Sequence, residues 1–294
     1  MTGDGPHRSH ASRPQREDAP HPALARPDED SKVGAALEEI QRVLDTPLAE
    51  LMGTEEERGE AAELTRQAVA VPALARLRKV VAFVGRGRPA TQAGNLKPVD
   101  AVTLAKRLAR GHVPDEVRSI EDLPDVARAF HWAAAAEFLA WRGSKIVAGP
   151  SARDLEHDPL SAWLKAAITL LEHGLLDGFR QGWRKHYVEL LDASAPSLLA
   201  AIVEAGGTVP LTTIEDQGWE LVAGSCGYEL DDDDERSHAV HLIRAMTTEL
   251  ADIGIIARRD DEVVLTELGS VLAIAAAVSA DEDMDDLDLV NRAS

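Results

Sequence analysis

Two histidines are the residues best placed to hold a metal ion. His238 and His241 lie three positions apart in a segment predicted to be helical, so both side chains would share one face, and an acidic run from Asp231 to Glu235 precedes them. No third ligand follows at a fixed spacing, and the acidic run lacks the glycine and the terminal glutamate of a calcium loop. We interpret the histidines as exposed polar residues and expect neither a metal nor another cofactor.

Covalent catalysis would require Cys226, the one cysteine of the chain. A nucleophilic thiol needs a base and a group that orients the base, and no local pattern supplies them. The sequence also has no glycine-rich phosphate loop after a strand, no His-Glu-x-x-His and no Gly-x-Ser-x-Gly. We therefore predict that the protein is not an enzyme; a site assembled only in three dimensions is the alternative.

Lysines and arginines in the middle of the chain are candidates for binding nucleic-acid phosphates. Residues 76–148 contain 13 lysines and arginines and 7 aspartates and glutamates, whereas residues 151–294 contain 10 and 29. The net charge of -20 argues against a duplex wrapped over the whole surface. We therefore expect any contact with DNA within residues 86–110. The candidate residues are Arg86, Arg88, Lys97, Lys106, Arg107 and Arg110.

The tetrapeptide Arg86-Gly87-Arg88-Pro89 matches the core of an AT-hook, in which an extended Arg-Gly-Arg enters a narrow minor groove. The alternative is that Gly85 and Gly87 end a helix before a turn. We favour the alternative, because an AT-hook lies in a disordered basic segment and this tetrapeptide lies inside a segment predicted to fold. The wider basic patch has its own alternative, since isolated basic residues on a helix are often merely solvated.

The pattern of helices and short strands predicts a mainly α fold of winged-helix-like modules, which are helix bundles with short β-hairpin wings, and disordered termini. Residues 73–150 form the predicted basic middle module. Its elements are a helix ending near Gly85, a turn or short strand, a helix over Asp100–Arg110 that Asp100 caps, a helix from Pro124 through Trp141, and a hairpin that starts at Ser144–Val147.

Residues 194–279 form the predicted acidic C-terminal module. It begins with a helix that starts at Ser194 and Pro196 and ends at Gly206 and Gly207, followed by a short strand over Thr208–Leu211. A second helix, capped by Thr212 or Thr213, reaches Val222, and an acidic loop covers 223–236. A third helix over Ser237–Ile253 then precedes two strands, Ile255–Arg258 and Glu262–Leu265. The wing turn at 259–261 is polar, and a last helix opens after Leu265.

The remaining segments flank and connect these two modules. We predict a disordered tail at 1–32, N-terminal helices at 33–72 with a polar linker at 53–59, a helical connector at 151–193 and an acidic disordered tail at 280–294. Asp158 and Pro159 open the first helix of the connector, and a second follows at 174–191. The five tryptophans all fall on predicted helices among apolar neighbours, which favours core packing over base stacking. They are Trp132, Trp141, Trp163, Trp183 and Trp219.

Targeting signals are absent from the sequence pattern. The first thirty residues have no apolar core of a secretory signal, and no later stretch reaches the ~18 uninterrupted apolar residues of a membrane span. One cysteine leaves no internal disulfide. We expect a cytoplasmic protein without a membrane partner.

Two segments resemble known proteins. The run from Val263 to Gly269, directly after a helix and a hairpin, resembles the end of the wing in many bacterial winged-helix regulators. The segment from Arg86 to Lys97, taken with the helices of Trp163 and Trp183 and the C-terminal module, resembles a group of uncharacterised actinobacterial helical proteins with winged-helix-like modules. Members of this group have no assigned activity, so the resemblance implies a shared fold and leaves the function open.

Two functions agree with these features. The first is a non-catalytic winged-helix regulator or scaffold that is associated with DNA through the basic middle module. The alternative is a protein-interaction or dimerisation module with degenerate winged helices and no DNA binding. In both, the C-terminal module engages a protein partner or a second copy, because an acidic loop precedes its long helix and would repel phosphates.

Overall fold

The computed structural model describes residues 55–109, 113–176 and 185–273. The predicted tails at 1–32 and 280–294, the helices predicted before residue 55, Arg110 and Trp183 lie outside the described residues. The described chain is mainly helical and contains two small antiparallel sheets, as the prediction of a mainly α fold requires.

Helices form most of the described chain, and the strands are short. The helices are α1 (Glu55–Ala70), α2 (Pro72–Val84), α3 (Pro98–Leu108), α4 (Pro124–Ala135), α5 (Asp154–His157), α6 (Pro159–His173), α7 (Lys185–Glu204), α8 (Leu211–Cys226) and α9 (Asp233–Asp252), and residues 267–273 are also helical. The strands are β1 (Arg88–Pro89), β2 (Leu139–Arg142), β3 (Lys145–Ala148), β4 (Thr208–Pro210), β5 (Ile256–Arg259) and β6 (Glu262–Leu265). Single 3-10 turns lie at Ile120–Asp122 and Pro150–Arg153.

Local sequence explains where several helices begin and end. Helices α2, α3, α4 and α6 each begin at a proline, whose missing N–H costs nothing in the first turn. The predicted cap of α6 is confirmed, because the Asp158 side chain accepts from the Ser161 N–H. The predicted end of α2 is confirmed too: Gly85 has a φ of 53° and its N–H donates to the Val81 carbonyl.

The same order of elements occurs twice along the chain. The first module (72–148) contains α2, β1, α3, α4, β2 and β3, and the second module (185–265) contains α7, β4, α8, α9, β5 and β6. In each sheet the last strand lies in the centre, in the orders β1-β3-β2 and β4-β6-β5. Each module thus pairs its first strand with the hairpin that closes it; we name the hairpins β2–β3 and β5–β6 the first and the second wing.

Helix α6 joins the two modules through buried tryptophans. The Trp132 indole N–H of α4 donates to the Ala166 carbonyl of α6 at 2.9 Å. The Trp163 indole N–H of α6 donates to the Ile253 carbonyl at the end of α9 at 2.6 Å. Both tryptophans are buried, so one apolar core continues from the first module through α6 into the second.

The predicted helix over Pro124–Trp141 is too long. Helix α4 ends at Ala135, Glu137 has a φ of 59°, and Trp141 lies in β2 with 41% of its surface exposed. The alanine run before Glu137 favours a helix, but the Leu139–Arg142 segment gains a full set of pairings with β3 instead. The prediction that every tryptophan lies on a helix is therefore wrong for Trp141.

The predicted break between a connector helix and a C-terminal helix is also wrong. Helix α7 runs unbroken through Ser194 and Pro196, and Gly174 to Leu176 are not helical. The Ser194 hydroxyl donates back to the Leu191 carbonyl at 2.8 Å, which is a contact of a helix interior and not of a cap. Tertiary packing of the buried face of α7 outweighs the proline, so the predicted boundary at 193/194 falls inside a helix.

Four further helices have boundaries that differ from the prediction. Helix α9 begins four residues early because the Asp232 side chain accepts from the Glu235 N–H, so part of the predicted acidic loop forms its first turn, where the helix dipole favours carboxylates. Helix α1 includes three glutamates of the predicted linker. Helix α3 begins and ends two residues before the predicted bounds, and α8 continues past Val222.

Candidate nucleic-acid interface

Arg88 of the predicted basic patch is partly exposed, and its guanidinium contacts residues of the first module. Its Nη1 lies 3.2 Å from Asp100 Oδ1, its Nε donates to the Phe83 carbonyl at 3.2 Å, and its guanidinium lies over the Phe83 ring, 4.4 Å from the centroid. These contacts tie β1 to α2 and α3. They argue against the AT-hook interpretation of residues 86–89, because the second arginine of that motif faces the protein.

The other described members of the patch face solvent. Arg86 follows α2, Lys97 precedes α3, and Lys106 and Arg107 lie in the last turn of α3; all four side chains are exposed. Arg107 also lies over the Phe83 ring, 5.1 Å from its centroid. Within the described part of the chain, none of the four forms an ion pair, so their charges are available to an anion.

The structure adds two cations that the sequence analysis missed. Arg142 and Lys145 are exposed, directly opposed residues at the tip of the β2–β3 wing. Like charges in such a cross-strand pair repel each other and destabilise the hairpin. A signal was present in the sequence, since Arg142-Gly143-Ser144-Lys145 places two cations on either side of a two-residue turn, in which Gly143 has a φ of 59°.

The wing of the second module has the opposite electrostatic design. Its last cross-strand pair before the turn is Arg259 opposite Glu262, and Asp260 in the turn has a φ of 51°, close to that of Gly143. The two wings thus have similar turn conformations. They differ in charge, because Lys145 of the first wing corresponds to Glu262 of the second. Opposite charges stabilise the second wing, and no such compensation exists between Arg142 and Lys145.

Helix α4, the third helix of the first module, offers no surface for reading bases. Only Pro124 and Asp125 among its residues are exposed. Arg128 is mostly buried and pairs with Glu249 of α9 at 2.7 Å. The Nε2 atom of His131 lies 3.5 Å from Oε1 of Glu121, and Glu121 belongs to the preceding 3-10 turn.

The exposed face of α9, the third helix of the second module, carries compensated charges. Arg236 pairs with Asp216 at 2.6 Å and Arg244 with Glu215 at 2.7 Å, both across to α8. An open groove of about 430 Å³ runs along this face. Arginines that already bind carboxylates attract phosphates less strongly, and Asp233 at the head of the groove would repel them.

The histidines of α9 do not assemble a metal site. His238 Nδ1 lies 2.9 Å from the Asp234 carbonyl, one helical turn away. In the described ranges, no group of three or more histidine, cysteine, aspartate or glutamate side chains is arranged to hold a metal ion. Among the same residues, no helix combines the length and apolar character that crossing a membrane requires.

Cys226 lies at the end of α8, where burial, and secondarily the charge of Glu235, raise the pKa of its thiol. An activated nucleophile needs the opposite shift, because the thiolate is the reactive form. We expect Cys226 to react with a thiol reagent at pH 8 more slowly than free cysteine, and urea to remove the difference. A native rate equal to or above that of free cysteine would contradict this assignment.

No family model, curated protein or solved structure matches the chain.

Proposed function

We propose that the protein is a non-catalytic regulator or scaffold of two winged-helix modules that associates with duplex DNA through the first module. The order helix, strand, helix, helix, hairpin, with the first strand paired to the last, supports the winged-helix assignment of both modules. In such modules the wing and the second helix contact the phosphate backbone. Four exposed cations without an ion pair among the described residues lie on these two elements: Lys106 and Arg107 on α3, and Arg142 and Lys145 on the wing.

The pair of Arg142 and Lys145 carries this proposal. A like-charged pair at a hairpin tip costs stability, and the second module shows that the same position accepts an opposite-charged pair, Arg259 and Glu262. An anionic partner that lies against the tip of the first wing would offset the repulsion. Closely spaced phosphates of a nucleic-acid backbone have the charge and the spacing to contact both cations.

The expected mode of binding is contact with phosphates and little contact with bases. Helix α4 is covered and cannot enter a major groove, so sequence preference is expected to be weak. Each neutralised phosphate contributes about 0.9 to the slope of log affinity against log salt. The exposed cations that form this surface, which we name the basic face, are Arg86, Lys97, Lys106, Arg107, Arg142 and Lys145.

Neutralising the wing tip tests the proposal. We expect the double variant Arg142→Gln/Lys145→Gln to bind a 30-base-pair duplex about 50-fold more weakly at 0.1 M salt, with a salt slope shallower by about 2, because two phosphate contacts are lost. Its free energy of unfolding should not fall, because a repulsive pair has been removed. Fluorescence anisotropy across a salt series and urea denaturation measure the two quantities.

The second wing provides the matched control. The double variant Arg258→Gln/Arg259→Gln also removes two cations from a wing, and we expect its affinity to change less than threefold. Duplex binding that is absent in the wild type, or that is unchanged in the Arg142→Gln/Lys145→Gln variant, would contradict the proposal.

The second module favours an additional role in binding protein. Leu230 is 59% exposed beside the acidic first turn of α9, and Leu221 on α8 is partly exposed. Exposed apolar side chains among carboxylates suit a protein partner or a second copy of the chain and not a phosphate backbone. If the protein binds no duplex, this interaction role without DNA is the remaining function, and light scattering after size-exclusion chromatography measures self-association directly.

A further inference from the structure

The contact between α9 and the first module uses charges of opposite sign. The Arg128 Nη1 of α4 lies 2.7 Å from Glu249 Oε1, and its Nη2 donates to the Leu175 carbonyl at 2.7 Å. Arg76 of α2 pairs with Asp252. All four side chains are mostly buried, with exposed fractions of 19% and 20% in the first pair and 15% and 11% in the second. The acidic second module thus neutralises two arginines of the basic first module.

The position of these carboxylates in α9 is unfavourable for the helix itself. Glu249 and Asp252 lie in its last turn, where the carbonyl end of the helix dipole repels negative charge, and this turn contains no basic residue. The two acids therefore do not stabilise the end of α9. The ion pairs with Arg128 and Arg76 of the first module account for their presence there.

The carboxylates of Glu249 and Asp252 occupy the two arginines in the way that phosphates of a nucleic acid would. A guanidinium binds a carboxylate and a phosphate through the same planar arrangement of N–H donors. Arg76 and Arg128 lie on the first and third helices of the first module, and the third helix is the element with which a winged-helix module enters DNA. While Glu249 and Asp252 occupy them, DNA can reach only the basic face.

We infer that the contact of Glu249 and Asp252 with Arg128 and Arg76 is an autoinhibitory latch, in which the second module holds two DNA-binding arginines of the first module. This inference rests on the proposed DNA association and adds its regulation. With the latch closed, binding is limited to the basic face. With the latch open, two further cations become available to phosphates.

Removing the carboxylate charges from the full chain tests the latch. We expect the variant Glu249→Gln/Asp252→Asn to bind a 30-base-pair duplex at least about tenfold more tightly than the wild type at 0.1 M salt, with a salt slope steeper by up to about 2. The gain should disappear when Arg76→Gln and Arg128→Gln are added, because the released arginines cause it. Circular dichroism and urea denaturation establish that each variant is folded.

The control variant Asp261→Asn/Glu262→Gln removes two carboxylates from the second wing, away from the latch, and we expect it to change the affinity less than threefold. Equal affinities of the latch variant and this control would overturn the inference, as would a gain that persists without Arg76 and Arg128. These results leave the proposed function intact. Failure of the proposed function has a different signature, since neither the wild type nor the latch variant would then bind duplex.

Discussion

Replacing Trp163 with alanine is expected to lower the free energy of unfolding by about 3–5 kcal/mol. Trp163 is fully buried on α6, and its indole N–H donates to the Ile253 carbonyl at 2.6 Å. The substitution leaves a large cavity where α6 meets the end of α9 and removes the partner of a buried carbonyl. Because domains of this kind are stable by only ~5–15 kcal/mol, urea denaturation should show a large shift of the midpoint.

Two further variants separate packing from hydrogen bonding at this site. Trp163→Phe keeps most of the volume and removes the donor to Ile253, so we expect a loss of about 1–3 kcal/mol. Trp141→Ala serves as the control on a partly exposed tryptophan, with an expected loss of less than about 2 kcal/mol. If Trp163→Ala cost no more than Trp141→Ala, α6 would not join the two modules as described.

The glycine after the first wing is expected to tolerate no side chain. In Gly149→Ala the added Cβ would lie 2.1 Å from the Glu137 carbonyl oxygen and 3.0 Å from the Leu139 carbonyl carbon, both of them backbone atoms. The chain must shift at the base of the wing, where the Gly149 N–H donates to the Phe138 carbonyl at 2.9 Å. We expect a loss of about 3 kcal/mol in the free energy of unfolding, measured in urea.

Gly224 provides a control of opposite sign. It lies on α8 with no atom within 4 Å of an added Cβ, so Gly224→Ala should stabilise the protein by up to about 1 kcal/mol through helix propensity. A Gly149→Ala variant as stable as the wild type would contradict the described close approach of the two chain segments.

Local signals account for the parts of the fold that were predicted from the sequence. The β5–β6 hairpin, the end of α2 at Gly85 and the cap of α6 at Asp158 each depend on a few neighbouring residues, and the structure has all three. Proline fixes its own φ, glycine permits a positive φ, and an N-cap satisfies backbone groups within one turn. The hairpin, the helix end and the cap can therefore be predicted without knowing which distant residues pack against them.

The features that the sequence did not predict depend on distant contacts. Pro196 would break a helix on local grounds, yet α7 continues through it because its buried face packs on the rest of the second module. Arg86 and Arg88 are both arginines of one tetrapeptide, and the local sequence does not distinguish their environments. Only the folded positions of Phe83 and Asp100 show that Arg88 contacts the first module. At the candidate site, charge density identified the segment 86–110. The wing tip was missed because the predicted helix ran through Trp141, whereas Leu139–Arg142 forms a strand that turns at Gly143 and Ser144.

The unbroken course of α7 bears on how the protein can be divided for experiments. A fragment that starts at residue 194 would discard the first half of this helix, including Tyr187, which is fully buried and donates to Glu235 at 2.6 Å. The truncated edge would expose apolar surface to water and invite aggregation. Dissection of the two halves should therefore begin upstream of residue 185, and a soluble, cooperatively folding 194–273 fragment would show that the N-terminal half of α7 is dispensable.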